Sequence, residues 1–155
     1  MTTITQTLSQ KHIQCDTLFA QLEEYVAHTQ WQMALPKFAQ FIEEMEQHFS
    51  NEENILFPTF EQRVGHTLGP TQVMRMEHQQ MRQLLQNMHE SLLQQDSSHY
   101  LGLSETLLML MRQHNAKEEQ ILYPMCDQTL SSEVHTLLEQ MDAAHLSSVT
   151  ELDKM

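Results

Sequence analysis

The chain states one phrase twice. His48-Phe-Ser-Asn-Glu52-Glu53-Asn-Ile55-Leu56-Phe57-Pro58 returns as His114-Asn-Ala-Lys-Glu118-Glu119-Gln-Ile121-Leu122-Tyr123-Pro124, offset by 66 residues and identical at six of eleven positions. Phe57/Tyr123 and Asn54/Gln120 are close replacements. The offset continues upstream, pairing Gln47 with Gln113, Met45 with Met111 and, further back, His12 with His78. Each half therefore reads His and, 36 residues later, His-x-x-x-Glu. Such a repeat restricts the fold to one two-helix unit used twice around something the two copies share.

Composition is compatible with that plan. A chain of 155 residues is long enough for one domain with a single core, so we expect one domain over 1–155, with repeats at about 8–65 and 71–130. Apolar residues make up 40%, with only three Gly and four Pro, which favours a compact helical protein. Twelve Met suit adaptable core filling. The net charge of -13 argues against nucleic acid as a partner, because phosphate recognition needs a basic footprint. The longest apolar run, Leu107 to Met111, is far too short to span a bilayer, so no membrane association is expected. The first residues lack the basic-then-apolar order of a secretory signal. Cys15 and Cys126 form no disulfide framework and fit a reducing, cytoplasmic location.

Apolar residues three and four apart predict the helices. The first spans 4–28 through Leu8, His12, Cys15, Leu18/Phe19, Leu22 and Tyr25/Val26. After a short connection, Pro36 suits the first turn of the second, where a missing N–H costs nothing. That helix carries Phe38, Phe41/Ile42, Met45, His48, Glu52 and Ile55/Leu56 on one face, and Pro58 predicts a kink over 54–58. Gly65 and the Leu68-Gly69-Pro70 turn close the first half. A third helix, 71–95, presents Met74, His78, Met81, Leu84/Leu85, Met88 and Leu92. A fourth, 100–129, presents Leu107/Leu108, Met111, His114, Glu118, Ile121/Leu122 and Met125, with Pro124 repeating the kink. Ser131-Ser132-Glu133 caps a last amphipathic segment, about 135–149, packed outside. Short loops between long helices give the expected architecture: an all-α, up-down-up-down four-helix bundle with a short extra C-terminal helix. The 16 residues from His12 to His28 and from Pro36 to Glu52 span equal depth, roughly 24 Å at 1.5 Å per residue. All six repeated polar residues can therefore share one layer.

Those six are His12, His48, Glu52, His78, His114 and Glu118. A His and a Glu four apart stack on one helix face, here the apolar one, so both point into the core. A buried carboxylate left unpaired costs several kcal/mol. Four imidazoles and two carboxylates at one level offset that cost by holding cations. One ion rarely takes six such ligands; two ions bridged by Glu52 and Glu118, each with two imidazoles, would use them all, as di-iron bundles do. A metal-free His–Glu hydrogen-bond network is the alternative. His28, His66, His99 and His135 fall at loops or helix ends and are expected in solvent, while His89 suits packing or support of the ligands. Glu53 and Glu119, one position off the ligand face, either support ligands or face water. Cys15 and Met81 share a repeat position three after a ligand His and should line the pocket.

With these residues the chain resembles the hemerythrin-like HHE cation-binding family over roughly 8–128. The motifs are His12, His48-Phe-x-x-Glu52-Glu53-x-x-Leu-Phe-Pro58, Glu77-His78 and His114-x-x-x-Glu118-Glu119-x-x-Leu-Tyr-Pro124. The resemblance implies a four-helix bundle around a non-haem di-iron centre that binds oxygen, nitric oxide or related small molecules. Oxygen-carrying hemerythrins have a fifth His four residues after the third-helix ligand; here that position is Arg82, which cannot ligate. The four-His, two-Glu set is more similar to the di-iron domain of repair-of-iron-centres proteins, which carry in addition an N-terminal cysteine-containing domain. Two Fe ions, oxo- or hydroxo-bridged, are then the expected cofactor, and Zn or Mn could substitute. The expected function is binding or sensing of O2 or NO, or handling of reactive oxygen and nitrogen species including peroxide. An iron storage or donor protein and a peroxidase- or oxidase-like enzyme are the alternatives.

Overall fold

The computed structural model describes residues 2–67 and 69–153, with side-chain surroundings as far as residue 144. It is an all-α bundle. Helix α1 (Ile4–Ala27) runs up and α2 (Trp31–Asn51) returns. A π-helical turn (Glu52–Leu56) leads from α2 into α3 (Phe57–Val64). The same sequence of elements follows as α4 (Pro70–Leu93), α5 (Ser97–Lys117), a second π turn (Glu118–Leu122) and α6 (Tyr123–Thr129). Helix α7 (Val134–Asp153) follows and outruns the 135–149 read from its pattern. No helix among the described residues is long and apolar enough to cross a membrane.

The 66-residue offset holds for the bounds of α1 and α4, of α2 and α5, and of both π turns. It holds even where the sequences differ. Thr29 (φ 51°) and Gln95 (φ 55°) both take the left-handed conformation after their helices, in His28-Thr-Gln and Gln94-Gln-Asp. Each turn is closed by the same long backbone bond, Gln30 N–H to Tyr25 C=O (2.8 Å) and Asp96 N–H to Ser91 C=O (2.9 Å). These are Schellman closures, which satisfy orphan carbonyls at a helix end and reverse the chain within two or three residues.

Local chemistry sets the other ends. Thr3 and Gln6 form a capping box at the start of α1. The Asp127 carboxylate accepts the backbone N–H groups of Ile4 (2.7 Å) and Thr5 (3.1 Å), tying α1 to α6. Gly65 ends α3 at φ 86°, and Gly69 precedes Pro70 at the first position of α4; Leu68, between them in the predicted turn, lies outside the described residues.

The second helix departs from expectation. It begins at Trp31, so Pro36 sits in its second turn, not its first. Tertiary packing accounts for the five additional residues: Ala34 is fully buried and Trp31 packs on the core edge. The predicted kinks are π turns. At Phe57 and Tyr123 the backbone N–H bonds five residues back, to Glu52 and Glu118. The following Pro58 and Pro124 have no N–H to pull the ladder back into α register.

Each π turn inserts a residue and rotates the face that follows. In the second half Leu122, Tyr123 and Cys126 are buried, whereas Ile121 is 54% and Met125 39% exposed, contrary to the stripe read at 3.6 residues per turn. Two apolar clusters result. One holds Leu22, Phe41, Met88, Leu92 and Leu107; the other holds Ile4, Leu56, Phe57, Leu122 and Tyr123, with Leu137 and Met141 of α7 packed onto it. Fully burying each large apolar side chain contributes about 1.5–3 kcal/mol. Between the clusters lies a polar layer: the six residues of the repeat.

Candidate metal centre

Local geometry delivers these side chains to one level. His48 and His114 end α2 and α5 one turn before Glu52 and Glu118, which open the π turns. His12 and His78 face them from α1 and α4. Both carboxylates and His78 are fully buried, and His12, His48 and His114 nearly so. His78 Nε2 lies 3.1 Å from Glu52 Oε1, and His12 and His114 Nε2 lie 3.1 and 3.2 Å from Glu118 Oε1. His48 Nε2 is 3.6 Å from Glu52 Oε1 and 3.1 Å from His12 Nε2. The sequence named all six, and the structure brings all six together.

Their donor atoms fall into two overlapping groups, Glu52–His78–His114–Glu118 and His12–His48–Glu118, with ligand atoms within 4.8 Å of one another in each. Two observations fit a cation. His114 Nε2 and Glu118 Oε2 are buried without a hydrogen-bond partner among the described residues. Three imidazoles also commit their outer nitrogen to a carboxylate: His12 Nδ1 to Glu119 (2.7 Å), His78 Nδ1 to Glu53 (2.7 Å) and His114 Nδ1 to Glu77 (2.9 Å). With Nδ1–H donating outward, the Nε2 lone pair turns inward, the tautomer that metal ligation needs. The structure thus settles Glu53 and Glu119, each of which orients the histidine of the opposite half.

Electrostatics of the metal-free layer follow from crowding. Burial and the neighbouring Glu118 push the Glu52 carboxyl above its ordinary range. Burial acts the same way on Glu118, but hydrogen bonding to Glu52 and the nearby His114 outweigh it and hold Glu118 well below. The two carboxyls are thereby pushed in opposite directions, as expected of two acids crowded into one buried site. Burial opposes charge on His78, yet hydrogen bonds to Glu52 and Glu53 hold its pKa up at about 9. His12 and His114 move upward for the same reason, Glu118 being their main support. Glu53 is drawn down to about 2; burial works against that and loses to His78 and Arg82.

Other contributors carry no metal-ligand signature. Tyr123 Oη lies between Glu52 Oε2 (2.6 Å) and Glu118 Oε1 (2.9 Å), donating to the carboxylate pair, and is 3.2 Å from His12 Nε2. Its only trace in the sequence is the hydroxyl that distinguishes it from Phe57. Arg82 grips both oxygens of Glu53 (2.8 Å each) and both of Glu46 (2.8 and 3.0 Å), and lies over the Phe49 ring, which stacks on His78 at 4.2 Å. Lys117 holds Glu77.

The remaining polar candidates stay outside the layer. His28, His66, His99 and His135 are exposed, and His89 stacks on Phe38 at 5.7 Å from an exposed position; the side chain of His145 lies outside the described residues. Cys15 and Cys126 are free and buried. Burial, with Glu44 and Asp16 nearby, pushes the Cys15 thiol up to about 12, so it is no thiolate at neutral pH.

Beside the imidazoles is a cavity of about 10 Å³, lined by His12, His48 and His114, by Cys15, Met45, Phe49, Met81 and Met111, and by Asn115. Cys15 and Met81 line it as their repeat position suggests.

An all-α bundle with a buried layer of imidazoles and carboxylates at its centre defines a class of metal-binding proteins. The hemerythrin HHE cation-binding domain model matches residues 3–126, and the chain belongs to that family. No curated protein and no solved structure matches it.

Proposed function

We propose that this chain is a non-haem di-iron protein that binds or senses O2 or NO, or handles reactive oxygen and nitrogen species. His12 and His48 hold one ion, His78 and His114 the other, and Glu52 and Glu118 lie between them. The presence of Glu118 in both donor groups supports two ions sharing a bridge. Bound iron supplies one-electron chemistry and open coordination positions for a small ligand.

The chain's own residues do the rest. Glu53, Glu77 and Glu119 fix the tautomer and raise the basicity of three imidazoles. Tyr123 places a hydroxyl proton against both carboxylates, where it can hold or yield a hydrogen bond as their charge changes. The two apolar clusters exclude water above and below the layer.

The observation that carries the reading is the cavity at the imidazoles. At about 10 Å³ it admits about one water-sized molecule, and thioethers, a neutral thiol and a phenyl ring make most of its wall. A diatomic molecule fits such a space and an organic substrate does not. The test is anaerobic reconstitution with Fe(II) followed by O2, NO or peroxide. A stoichiometric change in the optical spectrum is expected; no change with any of the three refutes the reading, and sustained turnover of peroxide converts it to an enzyme.

A further inference from the structure

We propose that the two ion positions are unequal by construction: the His78–His114 side retains its ion, and the His12–His48 side exchanges its own. The inference rests on the paired-ion reading above. It comes from comparing each supporting residue with its counterpart 66 positions away.

Glu77, which holds His114 Nδ1 at 2.9 Å, corresponds to Lys11. The residue that would mirror Glu77 is thus a cation in place of a carboxylate, and the side-chain hydrogen bonds of His48 among the described residues are all made at Nε2, none at Nδ1. Lys117, which holds Glu77, corresponds to Asn51.

The other imidazole of each side shows the same bias. Glu53 and Glu119 hold His78 and His12 at the same 2.7 Å. Glu53, however, is gripped on both oxygens by Arg82, which Glu46 grips in turn. Their counterparts are Asp16 and Arg112, so the charges are reversed, and Glu119 has an acid near enough to act on it electrostatically where Glu53 has its guanidinium. Glu119 makes no other side-chain hydrogen bond among the described residues, and its side chain is 40% exposed against 17% for Glu53. His78 is also sandwiched between Phe49 and Phe57, and Phe49 corresponds to Asn115.

Access follows the same division. A cavity of about 30 Å³ lies against His48, lined in part by Lys11, Gln47, Asn51 and Leu138 and by two acids, Glu44 and Asp142, neither of which hydrogen-bonds to His48 among the described residues. His48 is the most exposed of the four imidazoles. A carboxylate on the outer nitrogen of a ligating imidazole is worth roughly 10–100-fold in metal affinity, and the His12–His48 side has one such partner, loosely held, against two on the other.

The experiment loads the full-length chain with Fe(II) under anaerobic conditions, counts the bound iron, and follows its release to ferrozine. Two equivalents are expected to leave in two steps of one each, separated by at least about 10-fold in rate. Lys11→Glu should slow the fast step by about 10–100-fold and leave the slow one alone; Glu77→Lys should accelerate the slow step by a similar factor. The exposed pair Asp16→Arg with Arg112→Glu installs the missing clamp on Glu119 and should also slow only the fast step. Two equivalents leaving wild type in a single step overturn the inequality while the ion pair stands. So does a fast step unmoved in both the Lys11 variant and the Asp16/Arg112 pair. A total of one equivalent overturns the ion pair and the inequality together.

Discussion

Tyr123→Phe isolates one hydroxyl at the centre of the layer. The ring itself should be accommodated, because Phe57 fills the matching position of the first half and is fully buried. What disappears is a donor 2.6 Å from Glu52 and 2.9 Å from Glu118, in a site sealed from water. A buried acceptor stripped of its donor costs about 1–3 kcal/mol, more when charged, so the metal-free chain should lose about 3 kcal/mol. For a domain of this size that is roughly 6–12 °C in Tm. Bound cations would draw on the same two carboxylates, and the loss should then fall to about 1 kcal/mol or less. Urea unfolding of both proteins, each with and without metal, measures the four values, with equal slopes confirming that only stability changed. An equal loss in both states would refute the reasoning, since the hydroxyl would then not compete with cations for these oxygens. A loss below about 0.5 kcal/mol in the metal-free chain would refute the hydrogen bonds themselves.

Further outcomes follow from the same geometry. Glu118 belongs to both donor groups, so Glu118→Gln should weaken both ions and bring bound metal below two equivalents, whereas Cys15→Ser should leave two; elemental analysis after gel filtration distinguishes them. In the metal-free chain His78 is held up at about 9 from 6.5, so the stability it contributes is complete below pH 6.5 and lost as pH rises through 9. His12, His114 and Glu52 are raised too and act in the same direction. Melting temperature without metal should therefore fall over that interval while metal affinity rises, because fewer protons compete for the imidazoles; affinity that is flat across it would contradict the assignment. Cys15, 5% exposed with its thiol pushed up to about 12, should react with iodoacetamide at pH 8 far more slowly than the unfolded chain does, and equal rates would show that the layer opens freely.

The amino-acid sequence alone determined the plan. A repeat of 66 residues with His and Glu on apolar stripes admits few folds, because desolvation forbids scattering buried carboxylates and the helical period places position four above position zero. The six residues of the layer, the turn at Gly65 and the break near each proline were legible for that reason. Tertiary structure decided what depends on neighbours remote in sequence. Packing of Trp31 and Ala34 extended α2 past Pro36, and the π turns advanced the buried face from Ile121 and Met125 to Tyr123 and Cys126, a shift that a constant period cannot express. Glu53 and Glu119 look like any solvated acid until the opposite half brings a histidine within 2.7 Å. The reversal of Arg82 and Glu46 into Asp16 and Arg112 has meaning only once the helices stand side by side. Periodicity reports which way a side chain faces, whereas its partners are set by how the helices pack, and the support of the centre lives in those partners.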